Sequence, residues 1–472
     1  MKNHSLIWLR NDLRMQDNPA LDAALLAGGS VTAVYIHEET GISRCPGGAA
    51  RWWLERSLEK FAAQLAQKNI ELIIETGDPA IIIEHIVTTE HVKAVFWNRR
   101  YAHTERECDA DIKHNLKGKG IHVASFRGNL LIEPWEVMTG NGDPYQVYTP
   151  YAKALRRQGV LQPRAISAQM AASRNCVQHQ PVMIYKQPHW AHTIAQHWQT
   201  GEEVGYQRLT VFLKDLVRSY ADDRDCPSLD GTSKLSPYMR FGQMSVRQIW
   251  HEVVQFAQQH PHVANGADKF LSELIWRDFH YHQLYHRADI TTHDMRPTLE
   301  PIEWRKDPAS FIAWTKGQTG IPIIDAGMRQ LWATGWMHNR VRMLVASFLT
   351  KNLMIDWRLG EEWFWDTLVD ADVASNPASW QWVAGCGMDA APYFRVFNPV
   401  VQGKRFDPEG DYVRQWVPEL RLLPSKWMHS PGQAPADVLR GAKLKLGTDY
   451  PLPIADIAES QRFFKMIMKN EI

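Results

Sequence analysis

The sequence predicts two unlike halves: an α/β N-terminal domain built on a Rossmann-like parallel sheet, and an all-α C-terminal domain. Three observations predict this. Over the first 130 residues, short apolar runs alternate with amphipathic segments. From about residue 158 to 200 that periodicity fades, and Ser, Gln, His and Pro accumulate. After Gly205, apolar residues recur at helical spacing.

In chain order, strands are expected at 6–9, 31–36, 71–75, 94–97 and 122–126, with helices at 50–67, 80–88 and 106–116. That alternation argues for a parallel sheet covered by helices on both faces. The first strand runs into Trp8-Leu9-Arg10-Asn11-Asp12-Leu13-Arg14. No GxGxxG follows it, so no dinucleotide is placed in this domain. The domains are expected at 1–130, 205–472 and, between them, a connector at 131–204. In the second half, helices are expected at 209–217, 246–256, 270–285 and 336–353, with Thr232 and Ser245 as helix starts.

Composition excludes several classes. Lys+Arg total 53 against 52 for Asp+Glu, so net charge neither implies nor excludes nucleic acid. Cys45, Cys108, Cys176, Cys226 and Cys386 are odd in number and form no CxxC pair. A disulfide framework and a structural zinc site are not expected, and a reducing, cytoplasmic compartment is. The first residues lack a signal peptide's apolar stretch, and no run of 18 apolar residues forms a membrane span. Trp occurs 20 times, more often than Tyr or Phe. Such an excess serves either a large aromatic core or stacking and electron transfer.

Four segments could carry chemistry. In Glu273-Leu274-Ile275-Trp276-Arg277, the first, fourth and fifth residues share one helix face. They are either an intrahelical ion pair or a carboxyl beside an aromatic plate, suited to a flat heterocycle. Residues 335–343 read as helix, with Asn339, Arg342 and Met343 on one side. They form either a solvated basic face or a holder of phosphates and a base. Asp370, Asp372 and Asn376 precede Trp380-Gln381-Trp382, but no His or third acid completes a metal site. Gly231-Thr232-Ser233-Lys234-Leu235-Ser236 is a hydroxyl-rich turn before a helix, which caps the helix or binds an anion. Neither a GxSxG elbow nor a Walker pattern is present.

Together these segments, with Asp17-Asn18-Pro19 and residues 389–398, resemble the photolyase/cryptochrome family over nearly the whole chain. The resemblance implies an antenna domain, a connector and a helical FAD-binding domain holding FAD folded into a U. By motif position, Tyr220, Thr232, Ser233, Lys234, Leu235 and Ser236 would meet its phosphates and ribitol. Arg277, Asn339, Arg342, Asp370 and Asp372 would line the flavin, with Arg342 and Asp370 as an ion pair. Asn376 would face flavin N5, where an amide can donate or accept a hydrogen bond. Plant cryptochromes carry Asp at that position.

The implied activity is light-driven repair of cyclobutane pyrimidine dimers in damaged DNA by a monomer. Photolyases are themselves among the enzymes known to extrude their target base. Glu273 would hydrogen-bond a dimer carbonyl, Trp276 and Trp382 would pack on the dimer, and Asn339 and Met343 would touch it. The (6-4) photolyases carry two catalytic histidines where Asn339 and Met343 stand, and so resemble this segment less. Arg224, Arg340, Lys404 and Arg405 would contact phosphates. Trp380, Trp357 and Trp304 match the family's electron relay. A methenyltetrahydrofolate antenna is implied, although Thr104-Glu105 stands where relatives carry Asn-Glu. Arg51-Trp52-Trp53-Leu54 resembles a bacterial sub-branch that uses folate, and equally reads as the buried face of a helix. The alternatives are a cryptochrome-type blue-light receptor, a (6-4) photolyase, and a flavin-free nucleotide-binding protein.

Overall fold

The computed structural model describes residues 3–172, 188, 190–299, 302–392 and 395–470. Cys176 and the pair Tyr393-Phe394 lie outside the described residues. Strands β1 (His4–Leu9), β2 (Ser30–Glu38), β3 (Glu71–Gly77), β4 (Ala94–Asn98) and β5 (His122–Phe126) form one parallel sheet in the order β3-β2-β1-β4-β5. Every residue of β1 is buried, as expected of a central parallel strand with helices on both faces. Those helices are α1 (Pro19–Leu26), α2 (Gly48–Ala66), α3 (Pro79–Thr89) and α4 (His103–Gly118). Helix α1 was not anticipated, although Asn18-Pro19 signals its start: the Asn18 side chain accepts from Leu21 N–H, and Pro19 opens the helix.

The strand order reverses between β1 and β4, and at such a crevice parallel sheets usually hold a ligand. Here the chain fills the crevice itself. Asn98 Nδ2 donates to Asp12 (2.7 Å) and Asn18 (2.8 Å), and Arg10 donates to Asp109 (3.0 Å). The same stretch then reaches the helical half. Leu13 N–H donates to the Phe241 carbonyl, Arg14 donates to the Gly242 carbonyl (3.0 Å), and Arg240 donates to Asn11 (2.7 Å). Asp17, fully enclosed, accepts from Arg247 at 2.8 and 3.0 Å.

Residues 131–204, expected as a connector, contain α5 (Tyr148–Gln158) and α6 (Ala191–Ala195). The rest is helical: α7 (Glu202–Val211), α8 (Tyr220–Asp223), α9 (Ser236–Arg240), α10 (Val246–Gln259), α11 (Ala264–His286), α12 (Pro308–Thr315) and α13 (Pro322–Thr334). There follow α14 (Asn339–Ser347), α15 (Trp357–Thr367), α16 (Ser375–Ala384), α17 (Pro399–Phe406), α18 (Asp411–Trp416), α19 (Ala436–Gly441) and α20 (Ile457–Asn470). Helix α10 starts at the expected Ser245 cap. Two expectations fail. Thr232 caps nothing, because α9 begins only at Ser236. Residues 335–338 are not helical: Gly335, at φ 67°, closes α13 in the left-handed region, and a turn follows. His338 then caps α14 by accepting from Arg340 N–H at 3.2 Å.

Helix α11 is the axis of the helical half. One side anchors the start of the connector: Asp278 accepts from Leu131 and Ile132 N–H, and His282 bonds the Pro134 carbonyl. Trp52 and Trp53 on α2 are fully buried in a core shared by both domains, and Trp53 Nε1 donates to Gln243 at 2.9 Å. Of the two readings of that stretch, the buried helix face describes both tryptophans.

Arg247→Ala would strand the Asp17 carboxylate in the interior. Breaking a buried pair from one side typically costs ~3–5 kcal/mol. Thermal melting should fall accordingly, and an unchanged melting temperature would show that the pair does not hold the domains.

Candidate active site

Three helices each turn a stripe of side chains onto one cavity of about 340 Å³. Glu273, Trp276 and His280 come from α11 at i, i+3 and i+7. Asn339, Arg342, Met343 and Ala346 come from α14, and Asn376, Ser379, Trp380 and Val383 from α16, both at i, i+3, i+4 and i+7. The 368–372 turn adds Asp370 and Asp372, while Arg224, Lys269, Arg340 and Trp382 complete the walls.

Charges inside are paired. Arg342 holds Asp370 at 2.9 Å, and Ser236 Oγ donates to the same carboxylate at 2.6 Å. Burial pushes Asp372 up, but Arg277, Arg240, the Tyr281 hydroxyl and Ser375 N–H outweigh it and hold the carboxyl below its usual range. Glu273 pairs with Arg224, and Lys269 stands 3.6 Å away. The intrahelical Glu273–Arg277 pair does not form. Arg277 instead donates to the Asn129 carbonyl at 2.8 Å and lies over the Tyr281 ring. It belongs to the anchoring side of α11 and is not a wall of the cavity. It reaches the site only through its charge on Asp372.

Trp276 lies flat on Tyr148 of α5, with ring centroids 3.7 Å apart and planes inclined by 2°. Tyr148 is fixed in turn by its hydroxyl, which donates to the Ser272 carbonyl, and by its N–H, which donates to Asp389. Trp380 is wedged against Phe364 and Trp314. Its close fit requires Gly360, where an added Cβ would sit 2.2 Å from the indole. Trp357 is fully buried, with Nε1 donating to Asp294, and Trp304 is half-buried in the same cluster. Trp380 lines the cavity, while Trp357 is enclosed and Trp304 is half-buried. The described ring contacts of Trp380 are to Trp314 and Phe364.

The hydroxyl-rich turn lies alongside. Thr232 and Lys234 line a second hollow of about 350 Å³ with Trp336 and His338. The start of α14 separates the two hollows, His338 facing one and Asn339 the other. Lys234 pairs with Asp230 at 2.6 Å. Leu235 is fully buried, Ser233 Oγ accepts from its N–H, and Tyr220 packs on Phe212 and Phe270 beneath Arg224. Around the mouth, Arg340 pairs with Asp225 at 2.6 Å and covers Phe406, while Lys404 and Arg405 on α17 are exposed. Thr104 and Glu105 are on α4 and do not line the cavity; Glu105 accepts from Ser43. Cys45, Cys108, Cys226 and Cys386 are free thiols.

Several residues at or behind this site were missed, among them His280, Lys269, Tyr148 and Glu361. His280 and Lys269 could have been found, seven residues after Glu273 and four before it on the same helix. Tyr148 and Glu361, which binds Asn376 from behind, come from distant segments with no local signal.

Residues 5–172 match the family model "DNA photolyase", and residues 270–470 match "FAD binding domain of DNA photolyase". A deoxyribodipyrimidine photo-lyase of Agrobacterium fabrum is 43% identical over 96% of this chain and 94% of its own. The crystal structure of a bacterial class III photolyase from Agrobacterium tumefaciens superposes with a TM-score of 0.94, at 41% identity, covering 100% of this chain and 98% of that one. Cryptochrome-1 of Arabidopsis thaliana is 34% identical over 97% of this chain and 69% of its own length. The chain belongs to the DNA photolyase/cryptochrome family.

His338 gives the site a pH limit. Burial pulls its pKa down from 6.5 to about 4, so it stays neutral when folded. An unfolded chain takes up that proton as pH falls through 6.5, and the folded one only near 4, so stability is lost across this window. His338→Asn keeps a capping oxygen without the titration. Its melting temperature should fall less between pH 6.5 and 4, and equal slopes would exclude His338 as the cause.

Proposed function

We propose that this protein repairs cyclobutane pyrimidine dimers in DNA with light, using FAD. One observation carries the reading: a single cavity joins a carboxylate, three tryptophans, the Asn376 amide and the Arg342–Asp370 pair beneath a basic rim. The Agrobacterium fabrum photo-lyase is 43% identical to this chain, against 34% for Cryptochrome-1 of Arabidopsis thaliana. Asn376 and the absence of histidine at Asn339 and Met343 support repair of the cyclobutane lesion over the two rival readings.

The site suits the cofactor. His280 and Trp380 each carry a buried ring nitrogen with no partner beside the cavity, and polar groups left so in a protein interior mark a place built around a guest. Asn339, Arg342, Asp370, Asp372 and Asn376 would hold the flavin, and the 232–236 turn its phosphates. When bound and reduced, FAD supplies the light-excited electron that splits the dimer and is then returned.

The chain's own residues admit and hold the lesion. Trp276, braced by Tyr148, and Trp382 offer flat apolar walls, and base–aromatic stacking is worth roughly 1–3 kcal/mol per base. A gain of that size offsets unstacking, which costs a few kcal/mol and least for a damaged base. Glu273, set between Arg224 and Lys269, is a carboxylate and accepts only. As a carboxylate it takes a pyrimidine N–H; the carbonyl contact that the resemblance implies requires its protonated form. Asn339 can donate to a carbonyl, and a DNA phosphate at the rim competes with Glu273 for Arg224.

The reading includes a cytoplasmic monomer with a methenyltetrahydrofolate antenna. Among the described residues, no helix is long and apolar enough to cross a membrane.

Illuminating the purified protein with a dimer-containing oligonucleotide should restore the thymines, and darkness should prevent it. Glu273→Ala should retain flavin yet repair several-fold less per absorbed photon, whereas undiminished repair would remove Glu273 from the mechanism. Replacing Lys404 and Arg405 by alanine should weaken binding to damaged and intact duplex alike. It should also flatten the salt dependence by about 0.9 per lost phosphate contact. A salt slope equal to wild type would place the phosphates elsewhere.

A further inference from the structure

We infer that Arg44 of the N-terminal domain is a positioning residue for the flavin: acting through Glu361, it fixes the Asn376 amide with its carbonyl oxygen, not its NH2, presented to the cavity. The inference rests on the reading that Asn376 stands beside flavin N5.

The geometry starts at the amide. Asn376 Nδ2 lies 2.7 Å from Glu361 Oε1 and 3.1 Å from the Glu361 backbone carbonyl. Both neighbours accept hydrogen bonds only. Reversing the amide would press its oxygen against a carbonyl and a carboxylate, so NH2 points to Glu361 and Oδ1 is left for the cavity that Asn376 lines. This order is firmest while Glu361 is ionised, because a protonated carboxyl could also donate. Glu361 is buried on α15, and burial pushes its carboxyl up, opposed first by Arg44 and then by the Asn376 amide. Arg44 Nη1 reaches both carboxylate oxygens, at 2.9 and 2.7 Å. Without that cation the enclosed carboxylate would take up a proton, and its new O–H would compete with the amide for position.

Arg44 is itself held. Its guanidinium stacks on Trp365 at 4.5 Å, Trp365 Nε1 donates to the Cys45 carbonyl at 2.8 Å, and Gly48 N–H donates to Asp366 at 2.8 Å. Gly47 lies so close to α15 that an added Cβ would be 2.2 Å from the Trp365 carbonyl. The loop from Arg44 to Gly48, which leads from β2 into α2, is thus pinned onto the helix that carries Glu361. An acceptor at flavin N5 favours the N–H of the reduced cofactor over the bare lone pair of the oxidised one. The N-terminal domain thereby biases the flavin toward the form that repair consumes.

The test uses the FAD-loaded protein, fully reduced and then left in air in the dark, and follows the return of oxidised flavin absorbance. Asn376→Ala is the control arm. Arg44→Gln should keep its flavin content and reoxidise about fivefold faster, the worth of one ordinary hydrogen bond. Arg44→Lys, which keeps the charge, should lie close to wild type. The infrared carbonyl band that Asn376→Ala abolishes should shift in Arg44→Gln. If Arg44→Gln sheds its flavin, Glu361→Leu carries the test with the same expected acceleration. Wild-type rates in both Arg44→Gln and Glu361→Leu, with Asn376→Ala accelerated, would overturn the relay. An Asn376→Ala protein indistinguishable from wild type would instead overturn the placement of Asn376 beside N5.

Discussion

Asp17 is a carboxylate sealed from water, and a charge in that setting must be met by another of opposite sign. Arg247, at the start of α10, meets it with two hydrogen bonds, and Ser245 adds a third to the same carboxylate. Because Ser245 also caps α10, one acidic side chain on the N-terminal domain fixes where that helix begins and how it is turned. Arg14, Asn11 and Leu13 repeat the connection at Gly242, Arg240 and Phe241. Helix α11 packs on α10, and its two sides then do separate work: Arg277, Asp278 and His282 grip the connector, while Glu273, Trp276 and His280 face the cavity.

The same division explains the electrostatics of the site. Cations on the far side of the wall, Arg277 and Arg240, keep Asp372 ionised without entering the cavity. Within it, Arg342 and Ser236 hold Asp370, so the turn at 232–236 and helix α14 are coupled through one carboxylate. Aromatic walls are braced from behind in the same manner, Trp276 by Tyr148 and Trp380 by Phe364.

Much of this was legible in the sequence. Alternation of apolar runs gave all five strands to within two residues at either end, because a parallel sheet buries its strands and so writes them as apolar runs. Helical spacing grouped Glu273 with Trp276 and Asn339 with Arg342 and Met343. The failures have physical causes. Arg277 shares a helix with Glu273 but is drawn to the Asn129 carbonyl, a partner nearly 150 positions away in the chain. Residues 335–338 were read through as helix because the apolar pattern continues across a left-handed glycine. Tyr148 and Glu361 approach from segments that carry no mark of the site. Most of Arg10 to Asp17 reads as a functional motif, yet its visible work is to join two domains.

That motif has a further consequence. By folding its own side chains into the gap where the sheet changes direction, the N-terminal domain has given up the seat at which its architecture ordinarily receives a guest. Any pigment carried by this domain would have to sit outside that gap, so that its gain, loss or exchange would leave the junction between the two halves undisturbed.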